Sequence, residues 1–397
     1  MKKIIILNIF IVLCLNPFAF AYMHDYQVEK QALDIFQNKT VLFNLNYNND
    51  NISFLGSHQG EACLGLMNIT GLSDMLLTEY ANSQGMDIYT GKFFLRLPVT
   101  HTKLSMGFEQ SKLKIVGEPF DLLNINSEAD RYYFSMTQPL FHTDSESFEL
   151  QIRYDSIDLD TYIFSNSNFS FAPYQYDGHL DHSILRISQL LKRYTKTATF
   201  SIHSTFSFGL DRYKKLHYQY NETNIDGRFF SWSGKVKYNK KLSFLDSHFI
   251  FRTDLQFSDE PLPDDPFKPV EHLSIGGIDS VRGYRRNIFS TDNGITASIE
   301  LRLPVLKEQP GNDNKPMGNS IVYIAPFLDW GHGWNVGQKK SDIDYIYSIG
   351  LGLIWDISKA NFIRIYWGEA MRKIERNTEY DLQDDGLHLN VNLCGVF

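Results

Sequence analysis

Apolar and polar residues alternate along most of this chain, in segments of about ten residues. In one such segment, Phe249, Phe251, Leu255 and Phe257 interleave with mainly polar residues. Strict alternation predicts β-strands with one apolar and one polar face. The clearest segments of this kind are 41–48, 89–97, 148–155, 200–208, 230–238, 249–257, 295–303, 345–356 and 387–397.

The strict period indicates a membrane barrel rather than a soluble β-protein. The chain is 14% aromatic, with 30 Phe and 22 Tyr, and its large apolar residues fall on one face of each segment. After the first 21 residues no segment reaches the roughly 18 consecutive apolar residues of a membrane helix. Lipid outside a barrel and a polar lumen inside it produce this pattern. We therefore predict an all-β fold, a transmembrane antiparallel β-barrel of about 16 strands, wide enough for an aqueous channel.

The connections between the predicted strands alternate in length, which predicts the orientation of the barrel. Bacterial barrels have short periplasmic turns and longer extracellular loops. The short connections are 71–74, 99–102, 141–146, 195–197, 243–247 and 358–361. The longer ones, predicted to be extracellular, are about 164–181, 216–227, 259–294 and 371–386.

The connection at 259–294 is far longer than a hairpin needs, and loops of that length are usually functional or disordered. Its centre combines glycines with clustered guanidinium groups, which favours an ordered functional loop. We call this stretch the signature loop. It contains Gly276, Gly277, Ser280, Val281, Arg282, Gly283 and Tyr284, followed by Arg285 and Arg286.

These residues resemble the signature loop of the outer-membrane superfamily that contains two-partner secretion transporters and barrel-assembly proteins. A second motif follows on the next predicted strand, where Phe327, Asp329 and Gly331 are similar to the family's Phe-x-Asp-x-Gly pattern. The early residues 49–51 and 68–74 also resemble the opening strands of two-partner secretion transporters. The resemblance to these TpsB-type transporters, the haemolysin secretion/activation family, covers about 40–397.

The resemblance implies that the signature loop folds from the extracellular side into the lumen, with Arg282 at its tip. A guanidinium buried there needs a charged partner to offset its desolvation. Asp329 is predicted to point inward, because its neighbours Leu328 and Trp330 are predicted to point outward. The family motif pairs the positions of Arg282 and Asp329. Bidentate geometry suits Arg and not Lys. The alternatives are two charged residues without contact, or a pair that only braces the barrel.

The other residues of the loop receive simpler interpretations. Gly276, Gly277 and Gly283 are predicted to permit backbone turns that a Cβ would obstruct. Tyr284 is predicted to pack the loop against the wall of the lumen. Arg285 and Arg286 are predicted to form a solvated basic turn.

The N-terminal residues predict an exported protein. A basic start, an apolar core and the Ala19-Phe20-Ala21 site at residues 1–21 are typical of a secretory signal peptide. Residues 22–39 would be a short periplasmic leader, and 40–397 the outer-membrane barrel. Relatives carry periplasmic POTRA domains before the barrel, and the leader is too short for one. This departure from the family puts substrate capture in doubt.

Removal of the signal peptide would move the formal net charge from −8 to −10, since two lysines leave. An acidic exported chain has no electrostatic case for nucleic-acid binding. The remaining Cys63 and Cys394 fall on segments that are not predicted to be neighbours, which favours free thiols over a disulfide. The histidines show no metal-binding cluster, no enzyme motif is present, and no cofactor is implied.

The last strand ends at Phe397, which resembles the signal that barrel-assembly machinery reads; an ordinary edge strand ending in an aromatic is the alternative. The predicted function is an outer-membrane translocation pore that secretes a large unfolded exoprotein of haemolysin or adhesin type. Its predicted partners are that exoprotein, outer-membrane lipid and, during biogenesis, the assembly machinery. The alternatives are an outer-membrane assembly or insertion factor, and a porin-like relic.

Overall fold

The computed structural model describes ten ranges of the chain, and everything structural below refers to them. They are 41–118, 120–164, 167–168, 178–210, 228–258, 271–307, 320–336, 344–358, 360–374 and 381–396. Across these ranges we find no helix with the length and apolar character needed to cross a membrane. The predicted signal peptide (1–21), the predicted leader (22–39) and Phe397 lie outside the described residues.

Nineteen strands and four short 3-10 helices form in the described residues. The strands are β1 Val41–Asn48, β2 Gln59–Met67, β3 Asp74–Ser83, β4 Met86–Arg96, β5 Lys103–Lys114, β6 Asn126–His142, β7 Glu146–Ile163, β8 Ser167–Asn168, β9 His179–Tyr194, β10 Ala198–Gly209, β11 Phe230–Lys241, β12 His248–Ser258, β13 Leu273–Ile275, β14 Phe289–Thr291, β15 Asn293–Lys307, β16 Ile321–Trp334, β17 Tyr345–Asp356, β18 Phe362–Ala370 and β19 Leu387–Val396. The helices are η1 Ser53–Leu55, η2 Asp121–Leu123, η3 Phe244–Asp246 and η4 Leu382–Asp385.

Sixteen long strands and the two-residue β8 form one antiparallel sheet among the described residues. Each long strand pairs with its neighbours along the chain, and β1 also pairs with β19, from Leu42 opposite Val396 to Asn48 opposite Asn390. The sheet therefore closes on itself, which leaves no strand edge to pair with another chain. The predicted sixteen-stranded antiparallel barrel is confirmed.

The two faces of the wall differ in chemistry, as the alternation predicted. Outward residues are apolar and exposed, as with Leu328 and Trp330 on β16, whereas Asp329 between them is fully buried. The same contrast holds on β17, where Ile349 is exposed and Ser348 is buried. A period of two places successive side chains on opposite faces, so the inner wall is polar at these positions.

Six of the predicted short turns lie together at one end of the barrel, in the connections 68–73, 97–102, 143–145, 195–197, 242–247 and 357–361. Short connections are not confined to that end of the barrel. At the opposite end, the two residues Gln84-Gly85 join β3 to β4. A Cβ at Gly85 would lie 2.1 Å from the carbonyl oxygen of Lys114, so only glycine fits this tight turn.

The two cysteines lie on the strands that flank β1. Cys63 on β2 and Cys394 on β19 are each paired with Asn44, from opposite sides. The prediction that they are not on neighbouring strands and remain free thiols is confirmed, although one strand alone separates them. Both belong to an apolar cluster on the inner face that includes Leu42 and Met75.

Candidate functional site

The signature loop is an ordered structure on the inner wall of the barrel. After the end of the described β12 at Ser258, residues 271–292 form a ribbon in which β13 and β14 pair, with Leu273 opposite Thr291. Gln256 on β12 fixes the base of the ribbon, because its side-chain amide donates to the backbone oxygens of Glu271 (2.6 Å) and Asp292 (3.2 Å). The prediction of an ordered loop is borne out over this part.

The glycines of the loop occupy the backbone geometry expected of them. Gly276, Gly277 and Gly283 have φ values of 107°, 92° and 88°, a region that residues with a Cβ rarely adopt. The hydroxyl of Ser280 accepts a hydrogen bond from the backbone N–H of Gly276 (2.8 Å). Together with a bond from Gly277 N to Val281 O (3.2 Å), these contacts close the turn that presents Arg282.

The apolar side of the turn packs against the wall at Gly331. Val281 and Ile275 are fully buried, and they belong to one cluster with Tyr284 and Ile346. A Cβ at Gly331 would lie 2.7 Å from Ile275 Cγ2 and 2.9 Å from Val281 Cγ2. The glycine of the second motif therefore provides the space in which the loop approaches the strand.

Arg282 binds three inward-facing residues of β15 and β16. Its Nε donates to Asp329 Oδ2 (2.7 Å) and its Nη2 to Asp329 Oδ1 (2.9 Å), a bidentate pair. Its Nη1 donates to Glu300, and its Nη2 also to Ser298 Oγ (3.0 Å). The backbone N–H of Arg282 adds a third bond to Asp329 (3.0 Å). The contact that the sequence predicted between Arg282 and Asp329 is present.

Aromatic rings cover the guanidinium of Arg282. Phe327 lies with its ring centroid 3.6 Å from the guanidinium carbon, and Tyr366 of β18 with its centroid 4.8 Å away. Both distances are within the range of cation–π attraction. The Arg282 side chain is 1% exposed, and its two carboxylate partners, Asp329 and Glu300, are at most 2% exposed. Phe327 of the second motif is thus a direct contact of the loop.

The neighbouring carboxylates keep Arg282 ionised in this buried environment. Arg282 lies on the loop, outside the membrane-crossing strands. Burial alone would lower its pKa, but the carboxylates of Asp329 and Glu300 raise the pKa above its ordinary value. A buried guanidinium that lost these partners would carry a large desolvation penalty, so both carboxylates contribute to the attachment of the loop at this site.

Glu300, Ser298 and Tyr366 are members of the site that sequence reasoning did not assign to it. Glu300 shares its second oxygen with Arg302, whose Nε donates at 2.7 Å. The alternation already placed Glu300 on the inner face of its strand. The sequence did not give the position of Glu300 along the barrel axis relative to Asp329, because that depends on the register of β15 with β16.

Gly283 and Tyr284 attach the loop to the far side of the site. A Cβ at Gly283 would lie 2.8 Å from the carbonyl oxygen of Gly368, so the two backbones touch. The hydroxyl of Tyr284 donates at 3.0 Å to the backbone oxygens of Tyr347 or Arg372, and it accepts from the N–H of Arg372. The predicted packing of Tyr284 against the wall is present.

The prediction that Arg285 and Arg286 form a solvated basic turn is wrong. Their side chains are 12% and 14% exposed. Arg285 pairs with Asp384 of η4 through both its Nε and its Nη2. Arg286 donates from Nη1 to the backbone oxygen of Asp50 (3.2 Å) and pairs with Asp279. The error arose because Asp384 and Asp50 come from connections more than 90 residues away in the chain, and Asp279 alone of these partners lies in the loop.

A second buried charge cluster lies on the wall formed by β6, β7 and β9. Asp155 is fully buried and accepts from Arg131 Nη2 (2.7 Å), Arg153 Nη2 (2.9 Å) and Arg186 Nη1. Arg186 also pairs with Glu271 at the start of the ribbon. We call this set the wall cluster. Through Arg186, the wall cluster links the base of the signature loop to β6, β7 and β9, whereas the Arg282 site lies on β15 and β16.

One group among the described residues, with a single histidine and two aspartates, has ligand atoms close enough to hold a metal ion. Asp158, Asp160 and His179 place their ligand atoms within 4.8 Å of one another. His179 Nδ1 lies 2.9 Å from Asp160 Oδ1, and all three side chains are at least 40% exposed. They lie on the outward face of β7 and β9, away from the loop.

Comparisons with solved structures agree with this architecture. CdiB from Escherichia coli superimposes with a TM-score of 0.71 at 15% identity, over 89% of this chain and 63% of that chain. CdiB from Acinetobacter baumannii gives 0.66 at 16% identity, over 90% and 60%. BamA from Haemophilus ducreyi lacking POTRA domains 1–3 gives 0.61 at 12% identity, over 90% and 71%. The chain thus spans less than two thirds of the length of the two CdiB chains.

At these identities the structural likeness concerns the fold. Among curated proteins, none matches the sequence of this chain. A protein-family model does match, over residues 32–354, and it describes the haemolysin secretion/activation proteins ShlB/FhaC/HecB. That match extends through β1–β16, the signature loop and both motifs, and on this ground the chain belongs to the ShlB/FhaC/HecB family of haemolysin secretion/activation proteins.

Proposed function

We propose that this chain is an integral outer-membrane pore of the two-partner secretion type, which passes a large unfolded exoprotein of haemolysin or adhesin type to the cell surface. The family match supports a secretion role. Outer-membrane lipid would surround the exposed apolar face, and the barrel-assembly machinery would insert the chain after removal of residues 1–21. The turns at 143–145 and 195–197 would then face the periplasm.

The observation that carries the proposal is the attachment of the signature loop inside the barrel. A sixteen-stranded barrel leaves an aqueous channel, and here the ribbon and turn of the loop lie on the inner wall. The polar attachment at the tip of the turn is concentrated on Arg282, whose side chain makes four hydrogen bonds to Asp329, Glu300 and Ser298. Such a loop can limit leakage at rest and can change position when a chain passes.

No nucleotide is required for this mechanism. An unfolded exoprotein that folds once outside cannot return through the pore, and its folding free energy supplies a direction. The polar residues of the inner wall would offer hydrogen-bonding groups to a passing backbone.

The test compares proteins in the culture supernatant and in the outer membrane. The strains are the wild type, a deletion strain, and the deletion complemented with wild type, Arg282→Ala or Arg282→Lys. We expect one large exoprotein to disappear in the deletion strain and to stay absent with Arg282→Ala. Lys cannot make the bidentate contact, so secretion should be roughly tenfold below wild type with Arg282→Lys.

Arg193→Ala is the matched control. Arg193 also pairs with a carboxylate, Glu146, but it is 63% exposed at the short-turn end of the barrel, so secretion should stay at the wild-type level. Equal amounts of each barrel in the outer membrane must be verified by immunoblot. An unchanged supernatant in the deletion strain contradicts the proposal. A fall in other outer-membrane barrels would instead indicate an assembly role.

A further inference from the structure

The pairing of β1 with β19, which we call the seam, is a short junction in the barrel. It extends from Leu42 opposite Val396 to Asn48 opposite Asn390, whereas β6 and β7 pair from Asn126 to His142. Because backbone hydrogen bonds hold neighbouring strands together, a short ladder is an easier place for the barrel to open. The ladder on the other side of β19, with β18, is also short, from Phe362 opposite Asn392 to Trp367 opposite Leu387. Contacts at the end of the seam therefore add to a strand that has short ladders on both sides.

Gln383 of η4 is the central contact at the loop-bearing end of the seam. It is fully buried. Its side-chain amide donates to the backbone oxygens of Asn49 (2.7 Å) and Asn51 (2.8 Å), which directly follow β1. Its side-chain oxygen accepts from the backbone N–H of Arg286 (2.8 Å) in the signature loop. One side chain thus joins the connection after β1, the turn before β19 and the loop.

Ionic contacts reinforce the same junction. Arg285 binds Asp384 of η4 through two nitrogens, and Asp384 also accepts from the backbone N–H of Asp381 to cap the helix. Arg286 reaches the backbone oxygen of Asp50 (3.2 Å). The loop therefore contacts both chain segments that continue from the seam.

A histidine joins the tip of the loop to both seam strands. The backbone N–H of Gly283 donates to His388 Nε2 (3.2 Å), so that nitrogen carries no proton. His388 Nδ1 consequently carries one and donates to Asp50 Oδ1 (2.6 Å). His388 is 1% exposed and belongs to β19, while Asp50 follows β1. Gly283, which makes this contact, directly follows Arg282 in the chain.

We propose that the signature loop is also the latch of the seam, and that Arg285, Arg286, Gln383 and Asp384 are the positioning residues of this latch. Glu300 and Asp329 hold the loop on the β15–β16 wall, and the latch holds the end of the seam from that fixed point. The loop cannot leave the lumen without breaking the contacts that close the end of the seam. Opening of the channel and loosening of the seam are then one event.

This inference stands on the geometry of the loop and does not depend on which protein the pore passes. Gln383 and Gln256 allow a matched comparison, because each donates its side-chain amide to two backbone oxygens and each contacts the same loop. Gln383 lies at the seam. Gln256 lies at the base of the ribbon, on β12.

The experiment measures backbone hydrogen–deuterium exchange of the purified full chain in lipid nanodiscs, without any exoprotein. The variants are Gln383→Ala, Gln383→Glu, Arg285→Ala and Gln256→Ala, each verified as a folded barrel by its heat-modifiable mobility. We expect exchange in 41–51 and 387–396 to rise at least tenfold with Gln383→Ala and with Arg285→Ala, because local opening becomes easier. Exchange in β5 and β6 should stay unchanged.

Gln383→Glu tests the direction of the contacts. It keeps the acceptor for Arg286 but loses the donors to Asn49 and Asn51, so the seam should loosen as much as with Gln383→Ala. Gln256→Ala should leave exchange at the seam at the wild-type rate. The inference is overturned if seam exchange is unchanged with Gln383→Ala or Arg285→Ala, or if Gln256→Ala raises it equally. Because secretion is not measured, these outcomes are independent of the secretion test.

Discussion

Two buried charge clusters in this barrel have opposite arrangements of charge. At the loop site one guanidinium, Arg282, lies between two carboxylates, Asp329 and Glu300. At the wall cluster one carboxylate, Asp155, lies among three guanidinium groups. The central residue of the first comes from a loop, whereas that of the second belongs to a strand.

The difference in origin predicts a difference in role. Asp155 joins β6, β7 and β9, which are already neighbours in the sheet, so its bonds strengthen a wall that backbone pairing has built. Arg282 joins the loop to strands with which its own backbone makes no sheet pairing. Loss of the wall cluster should therefore cost stability of the barrel, and loss of the loop site should cost the position of the loop.

The largest expected effect comes from Asp155→Ala. It removes the carboxylate that three buried guanidinium groups share, and breaking a buried pair in this way costs about 3–5 kcal/mol. We expect a lower unfolding temperature, measured by loss of the compact, heat-modifiable band in electrophoresis. Asp160→Ala is the control, since Asp160 lies on the same strand with its side chain 40% exposed. Equal stability of the two variants would contradict the structural role of the cluster.

An intermediate effect is expected from Gly331→Ala. The new Cβ would overlap Ile275 and Val281, and overpacking of this kind typically costs about 1–3 kcal/mol. The strand can keep its backbone pairing while the loop is displaced, so protease cleavage within the loop should increase and the barrel should remain folded.

Gly60→Ala is the matched control for Gly331→Ala. Gly60 is also a strand glycine, on β2, but a Cβ there has no atom within 4 Å. Its cleavage pattern should equal that of the wild type. If Gly331→Ala lowers barrel stability as strongly as Asp155→Ala, the separation between the loop site and the wall cluster does not hold.

The smallest expected effect comes from Glu271→Gln, which removes the charge that links the ribbon to Arg186. Glu271 is 16% exposed, and Asp155 still binds Arg186, so no guanidinium loses its last carboxylate. We therefore expect a loss in loop attachment below the roughly 1–3 kcal/mol of Gly331→Ala. Protease cleavage of the loop should rise slightly, and more at low than at high salt relative to wild type. A loss of barrel stability would show that Glu271 is an integral part of the wall cluster.

The sequence predicted the strands, their faces and the contact of Arg282 with Asp329. The strands follow from a period of two, which is a local property of each segment. The parity of Leu328 and Trp330 placed Asp329 inside, and the resemblance to the family supplied its partner. Both inferences needed only residues that are near one another in the chain or in a motif.

The sequence by itself determined which residues point into the barrel, and the tertiary structure decided which of them meet. Parity does not give the height of a residue along the barrel, because that depends on the register of each strand pair and on closure of the sheet. Glu300 at the loop site, the three arginines around Asp155 and the contacts of Arg285 with η4 all depend on that register. Closure of β1 on β19 brings Asp50 next to His388, 338 positions later in the chain.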